Sequence, residues 1–150
     1  IDEGTSCECY FPRGKTMDTP KSEPVNSVKT GNETILLVDD DVHIIKLEEQ
    51  ILERLGYHPV TETNPKKALD FFRKNPESFH LVITDMTMPE MTGDQLIEKL
   101  REIKPDVKAI ICTGYSSRLE NMEAVKAEAC LMKPFEISVL AETIRKILDN

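Results

Sequence analysis

Between Thr34 and Asn150, short apolar runs alternate with longer amphipathic stretches five times. The runs lie at Thr34 to Val38, His58 to Glu62, Leu81 to Thr84, Lys108 to Cys112 and Cys130 to Met132, and each has the length of a strand. Apolar residues between and after them recur at helical spacing. Ile44, Leu47, Ile51 and Leu55 predict a first helix, stopped by Gly56. A second is predicted from Ala68, Phe71 and Phe72, with Asn64 as its cap and Pro65 in its first turn. Leu96, Leu100 and Ile103 mark a third, and Leu119, Met122 and Val125 a fourth. The last carries Ile137, Leu140, Ala141, Ile144, Ile147 and Leu148.

This alternation implies right-handed βαβ crossovers and an α/β fold with a parallel sheet covered on both faces. ILLV, LVIT and AIIC are continuous and belong at the centre of the sheet, whereas HPVTE contains Pro59 and polar residues and belongs at an edge. A doubly wound, flavodoxin-like sheet of five strands ordered 2-1-3-4-5 satisfies both. It sets the ends of the first and third strands side by side at the switch point, where such sheets build their sites.

The residues that end the runs are chemically pointed. ILLV stops at Asp39-Asp40-Asp41, LVIT at Asp85, AIIC at Thr113 and CLM at Lys133. Two carboxylates about 4 Å apart repel by about 4 kcal/mol at an effective dielectric near 20, so clustered acids call for a cation. A hard divalent ion with oxygen ligands, Mg²⁺, fits that demand, and Lys133 adds a second positive charge. Asp85, at the end of a strongly apolar strand, is the nucleophile these residues favour, taking a phosphoryl group to form an acyl phosphate. Thr113 can donate its hydroxyl to a phosphoryl oxygen, with Gly114 leaving room, and Lys133 can pair with another. A cis bond at Lys133-Pro134 would turn the lysine into the crevice. Each residue alone has an ordinary explanation: an acidic triplet caps helices, and an aspartate before a turn is common. The conjunction of four such residues at successive strand ends is what points to function.

The rest of the composition narrows the picture. Nineteen basic against 27 acidic residues give a net charge of -8, which disfavours a nucleic-acid or anionic-lipid surface. No apolar stretch reaches the ~20 residues of a membrane helix, and no leader opens the chain, so a cytoplasmic location is expected. Cys7 and Cys9 lack the second pair of a zinc site, while Cys112 and Cys130 sit in apolar runs and are expected as reduced thiols. His43, His58 and His80 have no catalytic or metal spacing, and Met86, Met88 and Met91 are expected to pack around the loop after Asp85.

Residues 13–33 are rich in Pro, Ser, Thr, Lys and Gly without period and are expected as a linker. Cys7 to Phe11 can form one short strand, which needs a sheet from elsewhere. Since the chain opens at Ile1, a longer parent is expected.

With ILLVDDD, TDMTMPEMTG, ICTGY and LMKPF in this order, Thr34 to Asn150 resembles the receiver domain of two-component response regulators and hybrid sensor kinases. The resemblance implies a Mg²⁺ pair at Asp39 and Asp40, a phosphoacceptor and further metal ligand at Asp85, and a main-chain metal ligand at Thr87. It also implies a switch hydroxyl at Thr113 and a phosphate-pairing lysine at Lys133. The partner is then a histidine kinase core or a histidine phosphotransfer protein, and the receiver a monomer or weak dimer that does not itself use ATP. One position departs from the family: Cys130 stands where an aromatic usually moves with the threonine. The fragment DEGTSCECYFP resembles the last strand of a histidine kinase ATP-binding domain, with Gly4 and Thr5 matching its glycine box and Asp2 in place of the first glycine. Residues 1–12 would then be the remnant of that domain in a hybrid histidine kinase.

Two other functions use similar residues. A haloacid dehalogenase-like phosphatase places its nucleophile and a second Asp two apart on the first strand end, as Asp39 and Asp41 are, but its acidic pair beyond the lysine has no counterpart. An unphosphorylated interaction module of receiver fold is the other.

Overall fold

A computed structural model describes residues 30–114 and 127–150. Its strands are β1 (Thr34–Val38), β2 (His58–Glu62), β3 (Leu81–Asp85), β4 (Ala109–Thr113) and β5 (Ala129–Met132), all parallel and ordered β2-β1-β3-β4-β5. Polar, Pro-containing β2 is an edge, and the apolar β1, β3 and β4 are central. The helices are α1 (Val42–Arg54), α2 (Pro65–Lys74), α3 (Gly93–Ile103) and α4 (Ile137–Leu148). The fourth helix expected from Leu119, Met122 and Val125, the strand near Cys7 and the linker through residue 29 lie outside the described residues.

Alternate strand residues feed two cores, because successive side chains leave opposite faces of a sheet. Leu36, Val38, Val82, Ala109 and Ile111 pack with α2 and α3, while Ile35, Leu37, Leu81, Ile83 and Ile110 pack with α1 and α4. Local chemistry fixes the helix ends. Asp41 caps α1 by accepting from the His43 and Ile44 amides, Asn64 caps α2 ahead of Pro65, and Gly56 follows α1 at φ 88°.

The buried faces of three helices differ from the expected ones. In α1 the buried residues are Ile45, Glu48 and Leu52, with Leu55 just beyond, whereas Ile44 is exposed and Leu47 is 59% exposed. The helix is turned by one residue because the stripe that packs on the sheet includes a carboxylate, which an apolar pattern skips. In α2, Ala68 and Phe72 are buried as expected, but Leu69 takes the third place and Phe71 is exposed, meeting Phe79 edge-on at 6.0 Å. Ile137 of α4 is likewise exposed, and Leu140, Ala141, Ile144 and Ile147 form its buried face.

The described chain is tied down before β1 begins. The Gly31 amide donates to the Leu55 carbonyl, and Arg145 of α4 donates to Glu33 at 2.5 Å while stacking its guanidinium over Tyr57 at 5.6 Å. Among the described residues no helix is long and apolar enough to cross a membrane.

Candidate functional site at the strand ends

Sheet register brings the pointed residues together. Val38 pairs with Thr84, so Asp39 and Asp85 continue neighbouring strands at one level; Asp85 itself pairs with Cys112, and Thr113 with Met132, the residue before Lys133. The Lys133 amide donates to the Thr113 carbonyl at 2.8 Å, and the Lys133-Pro134 bond is cis.

Lys133 is the centre of the charge arrangement. Its Nζ lies 2.5 Å from Asp39 Oδ2, 3.2 Å from Asp85 Oδ1 and 3.3 Å from Glu48 Oε1. Asp39 is nearly buried at 2% exposure, and its other oxygen accepts from the Asp41 amide at 2.8 Å. Asp85 Oδ2 accepts from the Thr87 amide at 2.6 Å. Thr113 is buried, and Asp40 faces solvent beside the cluster. Asp41, by contrast, turns its carboxylate to the α1 backbone and meets the cluster only through its amide hydrogen bond to Asp39.

Burial disfavours the charge on Lys133, but its hydrogen bond to Asp39 and the negative charges of Glu48 and Asp39 outweigh that and raise its pKa above the ordinary lysine value. The Glu48 carboxyl is pushed up, first by burial and then by Asp39 and Asp85, against the opposing pull of Lys133. Burial likewise pushes up the thiols of Cys112 and Cys130, both free. Cys130 is half-buried on β5 against the core shared with α2 and α3.

The loop after Asp85 is held from below. Met86, Met88 and Met91 are buried in the core, as their clustering suggested, and the Met86 amide donates to the Cys112 carbonyl at 2.8 Å. Gly93 opens α3 against the Asp85 backbone, where an added Cβ would stand 2.3 Å from the Asp85 carbonyl oxygen. Glu90 has φ 68° and is braced by Lys66 at 3.1 Å and by Asn64. The three histidines are all exposed and dispersed; His80 Nδ1 accepts from the Thr34 amide at 3.1 Å.

Among the described residues, no three His, Cys, Asp or Glu side chains form a ready-made metal cluster. Instead Asp39 Oδ2 and Asp85 Oδ1 both face one ammonium, so two carboxylates already converge on a single cation, and exposed Asp40 follows Asp39 in the chain. An all-oxygen donor set of this kind suits Mg²⁺.

Glu48 is the member of this cluster that sequence reasoning missed. Its signal was available in the stripe Ile45, Glu48, Leu52 and Leu55, which has helical spacing but is interrupted by an acid.

Residues 35–145 match the family model of the response regulator receiver domain. The chain belongs to that family. The receiver is 34% identical over 116 residues to the response regulator receiver protein CpdR of Brucella abortus, covering 76% of this chain and 95% of that protein. It is also 28% identical over 161 residues to the sensor kinase CckA of the same organism, covering all of this chain and 17% of the kinase. Several curated relatives are much longer, and the chain spans less than a fifth of their length. A crystal structure of the response regulator TrrA from Thermotoga maritima in complex with Mg²⁺-BeF superposes with a TM-score of 0.70 at 32% identity, covering 77% of this chain and 99% of that one. The receiver is accordingly a phosphoacceptor domain of two-component phosphorelay signalling, a switch rather than an enzyme, and neither the phosphatase nor the unphosphorylated module is favoured.

Proposed function

We propose that Asp85 is the phosphoacceptor, served by Asp39, Asp40, Thr87, Thr113 and Lys133. The observation that carries this reading is the Lys133 ammonium shared between Asp39 and Asp85 at the ends of β1 and β3. A phosphohistidine on a kinase core or phosphotransfer protein is the donor. Its N–P bond breaks as an Asp85 oxygen bonds to phosphorus, and the imidazole keeps the bonding electron pair. Reset is hydrolysis: a water oxygen attacks phosphorus, phosphate departs and the Asp85 carboxylate is restored.

The protein's part is alignment and neutralisation, since phosphoryl transfer asks little covalent help. Lys133 pairs with a phosphoryl oxygen. The Thr87 amide, already on Asp85 Oδ2, orients the carboxylate, and Thr113 donates its hydroxyl to the phosphoryl group. Asp39, Asp40, Asp85 and the Thr87 carbonyl are the residues that would hold Mg²⁺, which when bound offsets the charge gathering at the phosphoryl oxygens. Cys130 replaces the usual moving aromatic, so the face that includes β5 and α4 responds by another rearrangement.

The parent is a cytoplasmic or membrane-anchored hybrid histidine kinase of which residues 1–12 are the end of the ATP-binding domain and 13–33 a linker; the match to CckA, which runs along all of this chain and 17% of the kinase, supports this order. The test is incubation with Mg²⁺ and a small phosphodonor, read by intact mass. One phosphoryl group is expected on the wild type and none on Asp85→Asn; labelling that survives the substitution overturns the assignment.

A further inference from the structure

Glu48 lies outside the set that phosphoryl transfer needs, yet it is 7% exposed and 3.3 Å from the lysine that the phosphoryl group must engage. It occupies the sheet-facing stripe of α1 between Ile45 and Leu52, where an apolar side chain would fill the core without charge. One ammonium therefore serves three carboxylates, Asp39, Asp85 and Glu48. A phosphoryl group on Asp85 adds negative charge at the same point and needs the same ammonium.

We propose that Glu48 is a positioning residue that competes with the phosphoryl group for Lys133 and so weakens the phosphorylated state relative to the metal-bound, unphosphorylated one. This rests on the reading of Asp85 as phosphoacceptor. The competition has two opposite consequences. The negative charge of Glu48, close to Asp39 and Asp85 through their shared ammonium, favours a divalent cation there. The same charge repels an anionic phosphoryl group and withholds its counter-ion. A residue that only filled space would move neither affinity, and one that only destabilised the fold when changed would weaken both.

Glu48→Gln keeps the shape and the hydrogen-bond acceptor while removing the charge. The experiment measures the Mg²⁺ Kd, and then the beryllium fluoride Kd at saturating Mg²⁺, for the wild type, Glu48→Gln and Glu48→Met. Both variants are expected to bind Mg²⁺ about threefold or more weakly and beryllium fluoride about threefold or more tightly, as a lost charge near both sites requires. Thermal unfolding of each variant establishes that it is folded. Affinities unchanged in either folded variant, or both weakened together, overturn the inference. Absence of beryllium fluoride binding by the wild type overturns the proposed site itself, and is distinguishable because it needs no variant.

Discussion

Lys133 Nζ and Asp39 Oδ2 lie 2.5 Å apart, an ion pair between the ends of β5 and β1, strands that do not touch in the sheet. Asp39 is nearly buried and Lys133 largely so, so neither charge has ready recourse to water. Removing one partner of such a pair leaves the other desolvated and unmatched. Lys133→Met is expected to lower stability by about 3 kcal/mol, measured by urea unfolding. Saturating Mg²⁺ should restore more stability to the variant than it adds to the wild type, because a divalent ion can replace the lost ammonium. Equal gains would refute this.

Glu48 predicts a pH dependence of stability. Its carboxyl pKa is raised on folding, mainly by burial, so its contribution is fully present below the ordinary value of 4.5 and is lost as the pH rises through the elevated folded value. Glu48→Gln has no such titration. The stability of the variant relative to the wild type should therefore increase between about pH 4 and pH 7, followed by urea unfolding at each pH. A flat difference would show that the carboxylate is not strained by its surroundings.

Gly93 predicts a steric effect. A Cβ there would press on the Asp85 carbonyl oxygen at 2.3 Å, backbone that cannot move without shifting the acceptor itself. Gly93→Ala is expected to cost about 2 kcal/mol in stability and to slow labelling of Asp85 by a small phosphodonor. Wild-type labelling kinetics in the alanine variant would mean that α3 gives way freely.

The segment before β1 predicts where the folded unit starts. Arg145 is mostly shielded, pairs with Glu33 and covers the Tyr57 ring. Arg145→Ala should lose about 1–2 kcal/mol through the combined ion pair and ring contact. Removing residues 1–33 should produce part of the same loss, and the two changes combined should be less than additive. Full additivity would separate Glu33 from Arg145 energetically.

Much of this could be read along the chain. Periodicity reports which residues face a core, so the parallel sheet, its order and its polar edge at Pro59 followed from the apolar runs alone. Asp39, Asp85, Thr113 and Lys133 were legible because sites in such sheets gather at strand ends. The face of α1 was not: Leu47 looked buried and is exposed, while Glu48, absent from the apolar pattern, is buried. Phe71 misled in the same way, since Leu69, two residues earlier, takes the place beside Ala68 and Phe72 on the buried face.

By itself, then, the sequence determined the alternation of elements, the strand order and the chemical types at the strand ends, because those depend on spacing and on residue class. Only the tertiary structure decided that Glu48 belongs to the site and that α1 is turned to bring it there. A carboxylate enters a core when a cation meets it, and the cation here is Lys133, delivered from the far end of the fold by the pairing of β4 with β5. Spacing within α1 shows an apolar stripe interrupted by an acid, but not the cation that meets it.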